Sequence, residues 1–412
     1  MIDGYPTLDD VSFSGKRVLM RIDINAPIVE SEILDTTRFR SHVPTIEELE
    51  DCRLVLLAHQ SRPGKKDFTS LSKHAEVLSR LLDRDVEYVD ELFSSCAIRK
   101  IEEMEEGDII LLENVRFYSE EELKKSPEEH ARSHMVSKLS RHFDLYVNDA
   151  FSASHRAHAS LVGFPVVLPA VVGRLVEKEI TALSTALRSD GRKAFVLGGA
   201  KISDSVKVMK NVLENGIAEK VYLTGVVANY FLMLSGVKLG EKNEKVVEDN
   251  KEGLSDEEMR ELLERYRDRI VLPVDFGVES EEGRVDLSIE EFERLDEKPP
   301  IKDIGRETVR MFSHEIEQYD VAVINGPAGV FEEEEFAYGT FEILKAVSRA
   351  GFSVVGGGHI SSAARLAGLD ERMDHISTGG GASIRFLSGE KLPALEVIKK
   401  YWREKWSHFH LL

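Results

Sequence analysis

The stretch Ala194-Phe-Val-Leu-Gly-Gly-Ala-Lys201, continuing to Asn215, decides the fold. Its first four residues are apolar without alternation, as in a strand buried on both faces. Two glycines allow a tight turn, and Ser203 to Asn215 then carries a helical pattern. Strand, glycine turn and helix together are the opening of a βαβ unit. The same alternation extends outward in both directions. Apolar runs recur at Arg17 to Ile22, Arg53 to Ala58, Asp108 to Leu112, Asp144 to Val147, Lys220 to Leu223, Arg269 to Pro273, Asp320 to Ile324 and Phe352 to Val355. Helical patterns lie between them at Ser70 to Leu82, Leu123 to Ser140, Ser255 to Tyr266, Ile304 to Ile316 and Thr340 to Arg349. This reads as an α/β protein built on parallel sheets. About ten strands are near the limit for one open twisted sheet, so two sheets are expected.

The boundary is expected near the middle. Leu175, Ile180, Leu183 and Leu187 stand at helical spacing within Arg174 to Arg188, and Ser189-Asp190-Gly191 stops that helix. Residues 1–172 then form one domain, 173–190 a linking helix and 191–390 a second domain. The polar segment Glu279 to Pro300 reads as a surface excursion of the second half.

The 412 residues carry 54 Lys and Arg against 74 Asp and Glu, a formal charge of −20. Such a surface repels nucleic acid and anionic lipid, which excludes a polyanion-coating protein. With 42% hydrophobic and 31% charged residues the chain is ordinary globular material. Two isolated cysteines, Cys52 and Cys96, write no C-x-x-C metal or redox pair. The acidic start lacks a signal-peptide pattern, and the longest apolar stretch, Leu161 to Gly173, is interrupted by Pro165 and Pro169. No nucleic-acid or membrane partner and a cytoplasmic location are expected.

Ligands of open parallel sheets bind beyond the carboxyl ends of the strands. In the first half those ends supply Asp23 and Asn25 with Arg38 and Arg40 following, then His59 and Arg62, then Arg116, then Asn148-Asp149 running into His155, Arg156 and His158. One arginine at a strand end is ordinarily a solvated or structural residue. Arginine close to four separate strand ends in an acidic chain points to a small, multiply anionic ligand, because the guanidinium fork matches phosphate and carboxylate oxygens. The second half supplies glycine instead: Gly198-Gly199, Gly225, Asn325-Gly326-Pro327, Gly356-Gly357-Gly358-His359 and Gly379-Gly380-Gly381. Glycine lets backbone N–H groups approach a ligand, and a following helix N-terminus favours phosphate, so this half reads as a nucleotide site. Neither G-x-x-x-x-G-K-[ST] nor G-x-G-x-x-G occurs, which disfavours a P-loop kinase and a standard dinucleotide fold. His130 and His134, four apart on an expected helix, and the tail pair His408 and His410 read as solvated side chains.

These blocks together resemble the phosphoglycerate kinases. The resemblance is carried by Arg17-Val-Leu-Met-Arg-Ile-Asp23-Ile-Asn25-Ala-Pro27, Leu111-Leu-Glu-Asn-Val-Arg116-Phe117, Asn148-Asp-Ala-Phe-Ser-Ala-Ser-His155-Arg156-Ala-His158, Leu197-Gly-Gly-Ala-Lys201, Asn325-Gly-Pro-Ala-Gly-Val-Phe-Glu332 and Ser377-Thr-Gly-Gly-Gly-Ala-Ser383, in order along the chain. It implies two Rossmann-like three-layer domains joined by a helix, with the chain end, about 391–412, returning to the first. It also implies reversible, Mg²⁺-dependent phosphoryl transfer between 1,3-bisphosphoglycerate with ADP and 3-phosphoglycerate with ATP, with hinge closure. Carried over by position, Asp23, Asn25, Arg38, His59, Arg62, Arg116 and Arg156 hold phosphoglycerate, and Arg38 and Lys201 are catalytic. Gly198, Gly199, Lys201, Gly225, Asn325, Glu332, Gly356, Gly357, Gly358, His359, Ile360, Ser361, Gly379, Gly380 and Gly381 serve the nucleotide. Mg²⁺ is held mainly by nucleotide phosphates, with no protein ligand assigned, and the chain is a monomer or homodimer.

Three departures from the family pattern stand out. Ser205 replaces a second lysine, and Lys207 lies roughly 200° around the helix from it. His359-Ile360 replaces Asp-Thr, and imidazole is a poor ligand for Mg²⁺. Thr224-Gly225-Val226-Val227 shortens a glycine-rich turn. They match an archaeal branch of the family. The competing readings are a catalytically impaired relative acting as a binding protein, against which Arg38, Lys201 and Glu332 stand intact, and a two-domain Rossmann oxidoreductase, against which the missing G-x-G-x-x-G stands.

Overall fold

The computed structural model describes residues 1–30 and 32–407 and divides into two units. One is Met1–Thr181 together with the chain from Lys391 on, and the other is Ala182–Glu390, so the division falls inside the helix Arg174–Arg188.

The first unit is built on six parallel strands in the order Glu87–Val89, Ile109–Leu112, Arg53–Leu57, Arg17–Arg21, Leu145–Asn148, Ala170–Val172. The central strands are buried and largely apolar, with Arg53 and Asn148 only at strand ends, as strands covered on both faces are. Strand order reverses beside Arg17–Arg21, so a crevice opens between the ends of that strand and of Leu145–Asn148. The chain end belongs to this unit. Helix Pro393–Tyr401 sets Ala394, Val397 and Tyr401 against Ala150, Ala153, Leu161 and Val162. Tyr5 Oη donates to Glu396 at 2.8 Å, which ties the two ends of the chain together.

The second unit has six parallel strands in the order Ile270–Val271, Lys220–Leu223, Lys193–Leu197, Val321–Asn325, Ser353–Gly356, His375–Ile376. By sequence this is 3-2-1-4-5-6, the doubly wound Rossmann order, with its switch point between the ends of Lys193–Leu197 and Val321–Asn325. The expected two parallel sheets are therefore present.

Several local expectations are corrected. The segment read as a surface excursion is part of a three-stranded antiparallel sheet, Asp275–Ser280, Gly283–Ser288 and Ile301–Ile304, with a helix at Ile289–Arg294. Its charged residues pair with one another, which is why it reads as polar while being ordered: Arg284 is buried between Asp303 and Asp286. The expected helix Leu123 to Ser140 is two short ones, Pro127–His130 and His134–Leu139, each with its own serine cap, Ser126 and Ser133. His130 is buried with Nε2 3.1 Å from the Leu123 carbonyl oxygen, not solvated, whereas His134 is exposed. His408 and His410 lie outside the described residues.

Candidate active site

At the crevice of the first unit, Asp23 follows strand Arg17–Arg21 and is buried. Its Oδ2 accepts from Arg38, at 2.5 Å, and from the Ser152 hydroxyl, and its Oδ1 accepts from the Asn25 amide at 3.1 Å. Burial pushes this carboxyl up, but Arg38 and these donors outweigh it and hold it well below the usual range. Asn25 Oδ1 accepts from the Ser61 amide at 2.8 Å. Ser61 has φ +55°, a left-handed backbone that a serine holds only under restraint. The restraints are Asn25, Asp67 on its hydroxyl at 2.6 Å and Arg116 on its carbonyl oxygen. That turn presents Arg62, which is exposed and has no carboxylate partner among the described residues.

Arg116 is buried, bonded to Ser61 and paired with Glu122 at 3.0 Å. Arg156 is exposed and has no ion pair among the described residues. His59 is buried, 3.0 Å from Arg21 and 4.0 Å from Asp23. Burial pulls its imidazole far below the usual range; Asp23 opposes this, and Arg21, Arg116 and Arg156 reinforce it, so it is neutral at pH 7. The structure thus brings all seven expected residues of this half around one crevice. A positive excess remains at Arg62 and Arg156, which is what an anionic ligand would neutralise.

Two residues here have roles that the sequence does not assign: Arg21, read only as one of the residues after the first strand, and Glu121. Arg21 is buried beneath the site, with Nε donating to the Ser160 hydroxyl at 2.9 Å. Ser160 donates to Glu121 through both its hydroxyl, at 2.6 Å, and its amide, at 2.8 Å. Glu121 is fully buried, inside a run of three glutamates that looks like an exposed face, and burial pushes it up to about 7.

In the second unit the switch point is made of backbone. The Gly198 and Gly199 amides donate to the Asn325 and Pro327 carbonyl oxygens at 2.8 and 2.7 Å. Gly225 has φ +58°, and a Cβ there would lie 2.8 Å from the Gly199 nitrogen, so this position admits only glycine. The pocket of about 200 Å³ at this point is lined by Gly199, Gly225, Asn229, Phe276, Ala328, Glu332 and His359 among others. Its apolar wall also includes Pro273, Ile301 and Ile304, from the shoulders of the segment read as a surface excursion. That wall is braced by Asp303, fully buried, whose Oδ2 meets Arg284 at 2.7 Å and the Gly339 amide at 2.7 Å.

Lys201 stands at the start of helix Ile202–Glu214, exposed and without an ion pair among the described residues. Ser205, where the family has lysine, is buried with its hydroxyl 3.4 Å from the Gly198 carbonyl oxygen. Lys207 points elsewhere and lies 3.9 Å from Glu390. At helix Gly358–Leu366, Gly358 and His359 are exposed and Gly357 has φ +105°. Ile360 and Ser361 are buried, and Ser361 bonds back to the Gly357 carbonyl oxygen at 2.7 Å. The Ser361 amide also donates to the Gly357 carbonyl oxygen, at 3.1 Å. Gly380, with φ +51°, precedes helix Gly381–Leu387, and no atom lies within 4 Å of where its Cβ would stand.

The pattern of the phosphoglycerate kinase family matches residues 8–390. The chain belongs to the phosphoglycerate kinase family. A phosphoglycerate kinase of Archaeoglobus fulgidus is 68% identical over 98% of this chain and 99% of its own length. One of Methanosarcina mazei is 49% identical, over 96% and 95%. The crystal structure of phosphoglycerate kinase from Pyrococcus horikoshii OT3 superposes with a TM-score of 0.88 at 39% identity, covering 97% of this chain and 99% of that one. The Coxiella burnetii enzyme gives 0.81 at 29%, covering 96% and 99%. The archaeal character expected from the three departures agrees with these relatives. Members of the family are phosphotransferases with a carboxyl group as acceptor, so neither a binding-only protein nor an oxidoreductase is favoured.

Proposed function

We propose that this chain is a phosphoglycerate kinase in which the first unit holds the glycerate ligand and the second the nucleotide. The observation that carries this division is the contrast between the two switch points. One gathers arginines with incomplete charge compensation, and the other gathers glycine backbone beside an apolar slot. A small bis-anion fits the first, and a purine nucleotide fits the second.

In the direction of ATP consumption, a carboxylate oxygen of 3-phosphoglycerate attacks the γ-phosphorus. A new P–O bond forms as the bond from that phosphorus to the β,γ-bridging oxygen breaks, and ADP leaves. The attacking group is already an anion, so no general base is needed. Catalysis reduces to alignment and stabilisation of charge on the transferring group. Arg38, oriented by Asp23, and Lys201, which has no competing carboxylate among the described residues, supply that stabilisation. Arg62, Arg116, Arg156, Asn25 and His59 hold the substrate. In the second unit the free N–H groups at Gly357–Gly358–His359 and Gly380–Gly381 face the phosphates, and Glu332 takes the ribose hydroxyls.

Magnesium fits as a passenger on the nucleotide. The strand ends offer N–H donors and a lysine, which suit phosphate oxygens, and no group of three His, Cys, Asp or Glu that could hold a metal lies among the described residues. Bound to phosphate oxygens it would neutralise developing negative charge. His359 would serve through its backbone.

With the substrates on different units, transfer requires closure about the helix Arg174–Arg188 to exclude water. No described helix is long and apolar enough to cross a membrane, and diffusible substrates suit a cytosolic enzyme with no macromolecular partner. Calorimetric titration tests the division: a fragment-free, full-length Arg62→Ala variant should lose affinity for 3-phosphoglycerate and keep it for ADP. Loss of both, or of neither, would overturn it.

A further inference from the structure

One buried polar chain in the first unit has no part in the scheme above. His42 lies on helix Thr37–Glu48, one turn after Arg38, and is almost wholly buried. Its Nδ1 is 2.8 Å from Asp149 Oδ2, and its Nε2 is 3.0 Å from the backbone nitrogen of Asp23. The ring thus bridges the Asp149 carboxylate and the Asp23 backbone, where Nε2 also lies 3.1 Å from the Asp23 carbonyl oxygen. Asp149 is fully buried, and its second oxygen, Oδ1, accepts from the Leu175 amide at 3.0 Å. Leu175 is in the first turn of helix Arg174–Arg188. The approach leaves no slack: a Cβ on Gly173 would lie 2.2 Å from Asp149 Oδ1.

Four elements therefore meet through two side chains: the Arg38 helix, the Asp23 strand end, the Asp149 strand end and the linking helix. The two links of His42 are buried hydrogen bonds, whose loss would leave a polar group unsatisfied, and the link from Asp149 to the Leu175 amide is part-buried. Asp23 is also the group that orients Arg38.

The geometry points to His42 as a positioning residue, which fixes the Asp23 backbone and ties it through Asp149 to the first turn of helix Arg174–Arg188. Binding of an anion at Arg38 then stiffens the start of the linking helix. This rests on the reading of the first unit as the phosphoglycerate site. His42 touches no substrate and acts only through Asp23.

The test is amide hydrogen exchange on the full-length protein with and without saturating 3-phosphoglycerate, reading the segments 21–27 and 173–178 separately. In the wild type, ligand should slow exchange in both. His42→Leu and His42→Asn, the second keeping a donor toward Asp149, should retain ligand protection in 21–27 and lose it in 173–178. Their KM for 3-phosphoglycerate should rise about tenfold with the nucleotide KM unchanged. Thermal unfolding identifies which of the two is folded, and either suffices. Ligand protection of 173–178 that persists in a folded His42 variant would overturn the tie. Absence of protection in segment 21–27 of the wild type would instead overturn the site reading, and this inference with it.

Discussion

Arg21 donates to His59 Nδ1 at 3.0 Å. A guanidinium has no acceptor, so the imidazole nitrogen facing it must accept, and the proton of neutral His59 stands on Nε2. That leaves Nε2–H as a donor for an anionic ligand. Arg21 is aimed in turn by Ser160 and the buried Glu121. Arg21, Ser160 and Glu121 thus set the floor of the proposed phosphoglycerate site from beneath it.

Glu121 gives this floor a measurable pH signature. Its folded-state pKa, pushed up to about 7 by burial against the pull of Arg21 and Ser160, exceeds that of an unfolded glutamate. A group with a raised folded value contributes stability that is full below the unfolded pKa, about 4.3, and is lost as pH rises through the folded one. His59, buried, and His158, half-buried, act in the opposite sense at lower pH, so the useful quantity is a difference between proteins. The Tm of Glu121→Gln minus that of the wild type should move in the variant's favour by roughly 5 °C between pH 5 and pH 8. A pH-independent difference would contradict the burial argument.

Arg62 should behave as a binding residue and little else. It is exposed, unpaired among the described residues and held out by the strained Ser61 turn. Arg62→Ala should raise the 3-phosphoglycerate KM by about 10- to 100-fold and leave Tm and kcat close to wild type. Steady-state kinetics with each substrate varied in turn checks this. A fall in kcat at unchanged KM would move Arg62 into the transition state.

The brace behind the proposed nucleotide pocket is the Arg284–Asp303 pair. Removing one partner of a buried pair costs about 3–5 kcal/mol because the other is left charged and uncompensated. Arg284→Leu should lower Tm and raise the KM for ADP several-fold, while the phosphoglycerate KM stays put. Unaltered ADP binding in a folded variant would show that the pocket wall does not depend on the pair.

How much of this was legible in the sequence depends on what each signal competes with. Parallel strands buried on both faces announce themselves as unbroken apolar runs, and the residues at their ends fall on the ligand side by topology alone. Asp23, His59, Arg116 and the glycine turns were readable for that reason. The helix Thr37–Glu48 was not, because Pro44 inside it breaks the usual helix signals, and with that helix His42 was hidden as a core residue. Glu121 and Arg284 were invisible for a different reason: a charged residue counts as surface until a partner distant in sequence appears, Ser160 for one and Asp303 for the other. Ile360 and Ser361 could be named only by adjacency to a glycine turn, and adjacency says nothing about which way a side chain points.

The central claim is phosphoryl transfer assisted by Lys201. Initial rates of ADP formation from Mg-ATP and 3-phosphoglycerate, compared between wild type and Lys201→Ala with both substrates saturating, test it most directly. The wild type should turn over only when both substrates are present, and the variant should fall by about 10²- to 10³-fold in kcat at similar KM values. Equal kcat in the two proteins, or ADP release by the wild type without 3-phosphoglycerate, would contradict it.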